Sequence, residues 1–243
     1  FWFLTPPEQF IVTHYPEEQK WQLLNSPVSN PDFLSMSQYS AEFYEYGFDP
    51  KDNPNAWVSA GQSIAMKFRI RTGIAIMASL CYWGSSDLEG AYVLPRRNGD
   101  MVEVIVSFPT KGTYELKLFA KPKDQEGDYD HIVSYRIDAV QGNDYKQLAK
   151  TYSNYNTIPV YLDEQTPFYA DLKAGYSYSF KLTVPGAEKV AVINEGDNNW
   201  QYLNHNGDTF EGLARIKPGL VKVSAKFSGS DNMHWTLMEY RGR

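Results

Sequence analysis

The chain has 243 residues, 42% hydrophobic and 21% charged, a balance that supports one large core or two ordinary ones and is that of a globular rather than a disordered chain. Its net charge of -6 at pH 7 excludes nucleic acid as a charge-driven partner, because counterion release needs clustered Lys and Arg. One cysteine excludes an internal disulfide, no Asn-x-Ser/Thr acceptor occurs, and both point to a reducing, cytoplasmic setting.

The chain opens on an apolar, proline-broken arm, residues 1–25. Phe1, Trp2, Phe3, Phe10, Ile11 and Trp21 need a surface to cover them, and Pro6, Pro7 and Pro16 forbid one continuous helix. A short helical connector is expected after it, carrying Asn30-Pro31-Asp32-Phe33 and Ala41-Glu42-Phe43-Tyr44-Glu45-Tyr46-Gly47. The run from Phe3 to Ile11, then His14-Tyr15-Pro16, then Lys20-Trp21-Gln22-Leu23-Leu24, resembles the kyphoscoliosis-peptidase and hillarin family. In that family a transglutaminase-type domain carries a Cys-His-Asp triad, and a segment of this kind follows it. The resemblance implies that this chain is the region downstream of the catalytic domain, that it has no catalytic residues of its own, and that its partners are cytoskeletal or other structural proteins.

From residue 56 short alternating segments separated by Gly, Asn and Pro give an all-β signature. Strands are predicted over 63–71, 74–83, 91–94, 101–108, 113–121 and 131–140, then over 177–184, 189–194, 200–203, 209–216, 220–227 and 233–240. Segment 74–83 is apolar on both faces, which marks a covered strand. It is half the ~20 residues that cross a bilayer as a helix, so no membrane span is expected. Asn98-Gly99-Asp100 with Glu103 recurs as Asn206-Gly207-Asp208 with Glu211, both offset by 108 residues (206 − 98 and 211 − 103), so one plan is used twice. Asn-Gly favours tight hairpins because both residues tolerate positive φ. The fold expected is two tandem immunoglobulin-like antiparallel β-sandwiches preceded by an extended arm with a short helix: arm and connector over 1–55, a first sandwich over 56–141, and a linker with a second sandwich over 142–243. A helical turn is expected at 144–151, and an opening strand of the second copy at 157–162.

Candidate chemistry is sparse. Cys81 stands in an apolar strand without a basic neighbour, which suits a buried thiol better than a nucleophile. His14, His131, His205 and His234 lack ligand spacing, and His131 and His234 open the last strand of each copy. Loops 123–130 and 195–199 alternate carboxylates with glycine but lack the EF-hand pattern, and read as solvated turns. No metal or cofactor is implied. Trp57, Tyr152, Tyr155, Trp200 and Tyr202, near predicted loop ends, form the candidate ligand or partner surface, either a sugar-stacking platform or a peptide groove. The sequence thus reads as a non-catalytic interaction or scaffold module, cytoplasmic or cytoskeleton-associated, whose partner is another protein or a preceding catalytic domain. The alternatives are a substrate-positioning part of a transglutaminase- or protease-like enzyme, a carbohydrate-binding module, and a self-assembling structural protein that forms a homo-oligomer.

Overall fold

A computed structural model of the chain describes residues 4–85, 88–229 and 233–243. Phe1, Trp2 and Phe3 of the predicted arm lie outside the described residues. The rest of the arm is more helical than extended. Pro7, free of any obligation to donate, starts helix α1 (Pro7–Phe10). Ser29 and Ser40 cap α2 (Asn30–Ser35) and α3 (Ala41–Glu45), their hydroxyl oxygens accepting from Asp32 N–H and Phe43 N–H at 3.3 Å. The arm docks on the body of its own chain: Ile11 and Val12 are buried in the first core, together with Tyr39, Phe43, Tyr46 and Phe48 of the connector. Tyr46 donates to Asp130 at 2.7 Å and Tyr39 to Asn53 O at 3.2 Å, so the buried rings keep their hydroxyls satisfied.

The first sandwich contains β1 (Trp57–Ala60), β2 (Ser63–Arg69), β3 (Ile74–Tyr82), β4 (Val93–Asn98), β5 (Met101–Ser107), β6 (Gly112–Pro122) and β7 (Asp130–Ala139). One sheet runs β1-β7-β6-β3 and the other β2-β5-β4. Inward residues such as Met66, Phe68, Val104, Leu116, Leu118 and Ile137 fill the space between them. β3 is buried on both faces at most positions, as its sequence implies.

The second sandwich contains β8 (Lys150–Thr151), helix α4 (Ser153–Thr157), β9 (Tyr161–Leu162), β10 (Asp171–Leu172), β11 (Ser177–Thr183), β12 (Ala187–Asn194), β13 (Asn199–Tyr202), β14 (Asn204–Asn206), β15 (Thr209–Arg215), β16 (Gly219–Phe227) and β17 (Trp235–Gly242). Its sheets run β10-β17-β16-β12-β13, with β8 also on β17, and β14-β15-β11-β9. The shared plan is visible in the ladders. The repeated turns join β4 to β5 and β14 to β15, and Glu103 and Glu211 lie opposite Lys67 and Lys181.

Four expectations change. The sheets are not wholly antiparallel, because the short strands β1 and β10 run parallel to β7 and β17. Segment 200–203 is an additional strand at a sheet edge, and the counterpart of β4 is β14; β4 itself extends through Pro95 to Asn98 rather than stopping at Leu94. Residues 144–151 form no helix, since Asp144 and Tyr145 adopt φ of +47° and +59°, and the helical turn falls at 153–157. In both hairpins only the glycine takes positive φ, +61° at Gly99 and +59° at Gly207, with the asparagines closing the ladder before it. Gly at the first central position is what a type II′ turn requires.

At the start of β6, Tyr114 is fully buried and its hydroxyl donates to Thr110 O at 2.7 Å, four residues upstream. This is the tyrosine corner of immunoglobulin-like domains. In the second copy the matching position, two residues after the glycine that opens β16, is Val221, so that lock exists once.

The two sandwiches share a joint. Leu94, on β4 of the first, is fully buried in the core of the second, and Ile105 packs beside it. Tyr155 of α4 donates to Pro95 O at 2.7 Å, Asn143 N–H to Phe108 O at 2.7 Å, and Leu148 N–H to Ala91 O at 2.7 Å. Ser107 Oγ accepts from Asn143 Nδ2 at 3.0 Å and donates to Lys146 O at 2.9 Å. An apolar contact ringed by satisfied polar groups resists the relative motion that domain pairs otherwise show.

Leu94→Ala is expected to cost about 2–5 kcal/mol and to lower the thermal midpoint of both sandwiches together in calorimetry; a second sandwich melting unchanged would show that the joint does not couple them. Tyr114→Phe is expected to cost about 1 kcal/mol or more, by leaving Thr110 O without its buried donor, whereas Val221→Ala removes only apolar contacts; urea titration distinguishes them, and an unchanged midpoint for Tyr114→Phe would mean the corner carries no stability.

Candidate interaction surfaces

The five aromatic residues singled out in the sequence do not form one platform. Tyr155 is buried and belongs to the joint, so it is no part of a surface. Tyr152 donates to the Glu239 carboxylate, and that bond, with burial and the nearby negative charge, pushes its hydroxyl up to about 12. Trp57 lies on the first sandwich, and Trp200 and Tyr202 lie on the second.

Trp57 organises the first cluster. On the outer face of the β1-β7-β6-β3 sheet it stands opposite Arg136, whose guanidinium lies 3.7 Å from the Trp57 ring centroid and 5.1 Å from that of Trp83. Such contacts contribute about 0.5–2 kcal/mol each, more as water is excluded. Asp138 completes the group by accepting from the Trp57 indole N–H and, at 2.7 Å, from the Thr113 hydroxyl. The Thr113 bond first, then Trp57 and the Arg136 charge, hold the Asp138 carboxyl below its ordinary value. Both tryptophans remain about half exposed, at 55% and 52%. Rings fixed by a cation and still open to solvent are pre-organised contact area. Sequence reasoning found Trp57 and missed Trp83 and Arg136, because residues 57, 83 and 136 meet only through the ladders.

Trp200 and Tyr202 lie side by side on β13, ring centroids 6.2 Å apart, opposite Ile193 and Ala191. They cover those two buried side chains on the outer face of their sheet, and His234 sets its ring edge against Trp200 at 4.7 Å. Tyr202 stays as exposed as Trp57, at 54%, with the Lys189 ammonium 5.7 Å from its ring centroid.

Cys81 is fully buried, its thiol facing the carbonyl and carboxylate of Glu115. In loop 123–130 the Lys121 ammonium donates to Gly127 O at 2.7 Å and lies over Tyr129, so a cation already fills the loop. In loop 195–199 Glu195 and Asp197 pair with Lys222 and Lys217. His131 lies within β7, 3.0 Å from the Ser134 hydroxyl, and burial lowers its pKa. Among the described residues no group of three or more His, Cys, Asp or Glu could hold a metal ion, and no helix is long and apolar enough to cross a membrane.

Residues 31–148, the connector and the first sandwich, match the family of KY-like, immunoglobulin-like domains. This part of the chain belongs to that family. The expected kinship with kyphoscoliosis peptidase and hillarin holds with it. The chain is 30% identical over 140 residues to the kyphoscoliosis peptidase of Mus musculus, covering 56% of this chain and 20% of that protein. It is 26% identical over 133 residues to the hillarin of Drosophila melanogaster, covering 49% and 16%. It therefore spans about a fifth or less of the length of these curated relatives. Among solved structures, the titin domains Z1Z2 in complex with telethonin align over 77% of this chain and 91% of that one, at 14% identity and a TM-score of 0.21, too low to carry an argument.

The depressed Asp138 carboxyl contributes stability that is present above its unfolded-state value and is lost as pH falls through its lower folded-state value. Acidification below about pH 4 is expected to release the Trp57 indole and change its fluorescence before global unfolding. Asp138→Asn should abolish that step, and a step that survives the substitution would assign it elsewhere.

Proposed function

We propose that this chain is a non-catalytic protein-binding module whose principal contact surface is the Trp57, Arg136 and Trp83 face of the first sandwich. The observation that carries this reading is the pair of half-exposed tryptophans, Trp57 on β1 and Trp83 just past the end of β3, that lie against one guanidinium. Trp and Arg dominate the energetics of protein interfaces, Trp because it buries a large area with only two side-chain torsions to fix and Arg because its planar guanidinium pairs with charge, backbone and rings at once. Sandwich sheets hold such residues at fixed spacing, and the joint holds the second sandwich at a fixed angle to them. A structural or cytoskeletal protein partner fits the family resemblance, and the preceding catalytic domain of a longer protein is a second candidate for the same face. The division into arm and connector (1–55), first sandwich (56–141) and linker with second sandwich (142–243) is part of the proposal, the first two acting as one body.

Affinity capture with the immobilised chain, compared between wild type and Trp57→Ala/Trp83→Ala and read by quantitative mass spectrometry, tests this. A defined protein set is expected to fall by about ten-fold or more in the double variant, with the fold intact by circular dichroism. Identical capture by both forms would remove the face from the proposal, and hydrolysis or cross-linking of a protein substrate by the purified chain would overturn the non-catalytic reading.

A further inference from the structure

Strand β2 uses its backbone on one side only. Ile70 N–H donates to Asp100 O at 2.8 Å and Phe108 N–H to Gln62 O at 3.0 Å, which turns the N–H and C=O of even-numbered residues toward β5. Those of Ser63, Ala65, Lys67 and Arg69 therefore point to the free edge of the β2-β5-β4 sheet. At the Arg69 end two side chains occupy that edge. Asn53 Nδ2 donates to Lys67 O at 2.7 Å, and Arg69 N–H donates to the Asp52 carboxylate at 2.7 Å.

The second sandwich shows what else fits there. Arg69 lies opposite Met101 and Thr183 opposite Thr209, each the first residue after the repeated turn, so Lys67 and Lys181 are equivalent. At those equivalent positions a strand is present: Thr183 pairs with Tyr161 of β9, and Asp163 N–H donates to Lys181 O at 3.0 Å. In the first sandwich side chains replace part of that strand. The N–H and C=O of Ser63 and Ala65 and the N–H of Lys67 meet no hydrogen-bond partner among the described residues, and all three residues are exposed.

A groove of about 450 Å³ runs beside this edge, on the outer face of the sheet. Ser63 and Ala65 give it a low rim, Ile105 lies within it, and Phe168 and Tyr169 of the second sandwich form the opposite wall. Further along the edge an adjoining cleft is lined by Lys67 and Arg96 and by the carboxylates of Glu103 and Glu164. The Lys67 side chain is 69% exposed and its ammonium lies 3.8 Å from Glu103, whose carboxylate is already held by Arg96.

We propose that the free edge of β2 receives an extended segment of a partner protein as an added strand. The segment carries an apolar side chain beside Ala65, packed on Ile105 and Phe168, and an acidic side chain two positions away beside Lys67. Alternate residues of a strand share a face, so this spacing places the apolar side chain in the groove and the acidic one beside Lys67 in the adjoining cleft. Backbone pairing supplies affinity and the two side chains supply selectivity. The proposal rests on the reading of the chain as a protein-binding module and adds a second contact, separate from the tryptophan face.

The test uses two fluorescein-labelled peptides of alternating threonine and valine in which the last valine is replaced by glutamate or by lysine. In anisotropy titrations the glutamate peptide is expected to bind about ten-fold more tightly than the lysine peptide, and Lys67→Glu to reverse the order. Ala65→Pro removes an edge donor that the β2 ladder does not use, a substitution edge strands tolerate, and is expected to weaken binding about ten-fold. Ala65→Arg obstructs the groove from the side chain and should do the same if the proline variant is unstable. Amide exchange provides a second reading: Ala65 and Lys67 are expected to exchange faster than Met66 and Phe68 in the free chain, and to slow when the glutamate peptide is added. Absence of binding by either peptide, or equal binding by wild type and both Ala65 variants, overturns the proposal. Either result combined with loss of partner capture in the Trp57→Ala/Trp83→Ala chain overturns the β2 site and leaves the tryptophan face standing.

Discussion

Leu94 is a residue of the first sandwich that is buried in the core of the second, and most of what distinguishes this molecule from two beads on a thread depends on that placement. The outer face of an immunoglobulin-like sheet is ordinarily wet. Here Leu94 and Ile105 make the face of β4 and β5 apolar enough to need a cover, and residues 142–172 supply it. Full burial of a leucine is worth about 1.5–3 kcal/mol, enough to hold a joint only if the polar groups buried with it are satisfied. They are: Pro95 O, Ala91 O, Phe108 O and the Ser107 hydroxyl each have a partner from the linker or from α4. The linker is therefore an ordered wall rather than a tether.

The joint also explains how the edges of the sheets are managed. β12 is covered by β13, whereas β3, its counterpart, pairs with no such strand among the described residues and is packed instead near α4, with Ile76 beside Pro95, Tyr155 and Pro159. Arg97 donates to the carbonyls of Ile74, Arg71 and Gly99, closing the corner between β3 and the first repeated turn. Burial lowers the pKa of that guanidinium, and the three carbonyl bonds offset the cost of removing it from water. Edges left bare invite another chain. The edge of β2 is the one where side chains from the connector stop half-way, and it lies beside the groove that the joint creates.

The two copies have diverged in a physically consistent way. The first has a tyrosine corner, a connector that pours Tyr39, Phe43, Tyr46 and Phe48 into its core, and an exposed Trp–Arg–Trp cluster. The second lacks the corner, adds β13, and turns its Trp200 and Tyr202 toward covering Ala191 and Ile193. Exposed aromatic residues of similar appearance in the sequence thus meet different neighbours, the Arg136 guanidinium in one copy and the buried Ala191 and Ile193 in the other.

Much of the plan was legible in the residues. Alternation marked the longer strands, apolarity on both faces marked β3, and the Asn-Gly-Asp repeat marked the duplication, because side-chain parity and turn chemistry are local properties written within a few residues. The opening block carried the family resemblance. The strands β1 and β10 were missed because four or two residues hold too little periodicity to register, and a parallel pairing with a strand about seventy to eighty residues later leaves no local trace. Loop 144–151 defeated a helical reading because tertiary contacts hold Asp144 and Tyr145 at positive φ. Among the site residues, Trp57 could be singled out from sequence, but its value depends on Arg136 and Trp83, which the ladders deliver, and Tyr155 was indistinguishable from an exposed ring until the joint buried it. Sequence by itself determined the sandwich class, the duplication and the kinship, since each follows from short-range pattern; which aromatic rings face water, which edge stays open and how the sandwiches are joined were decided by tertiary structure, since each depends on what long-range packing brings alongside.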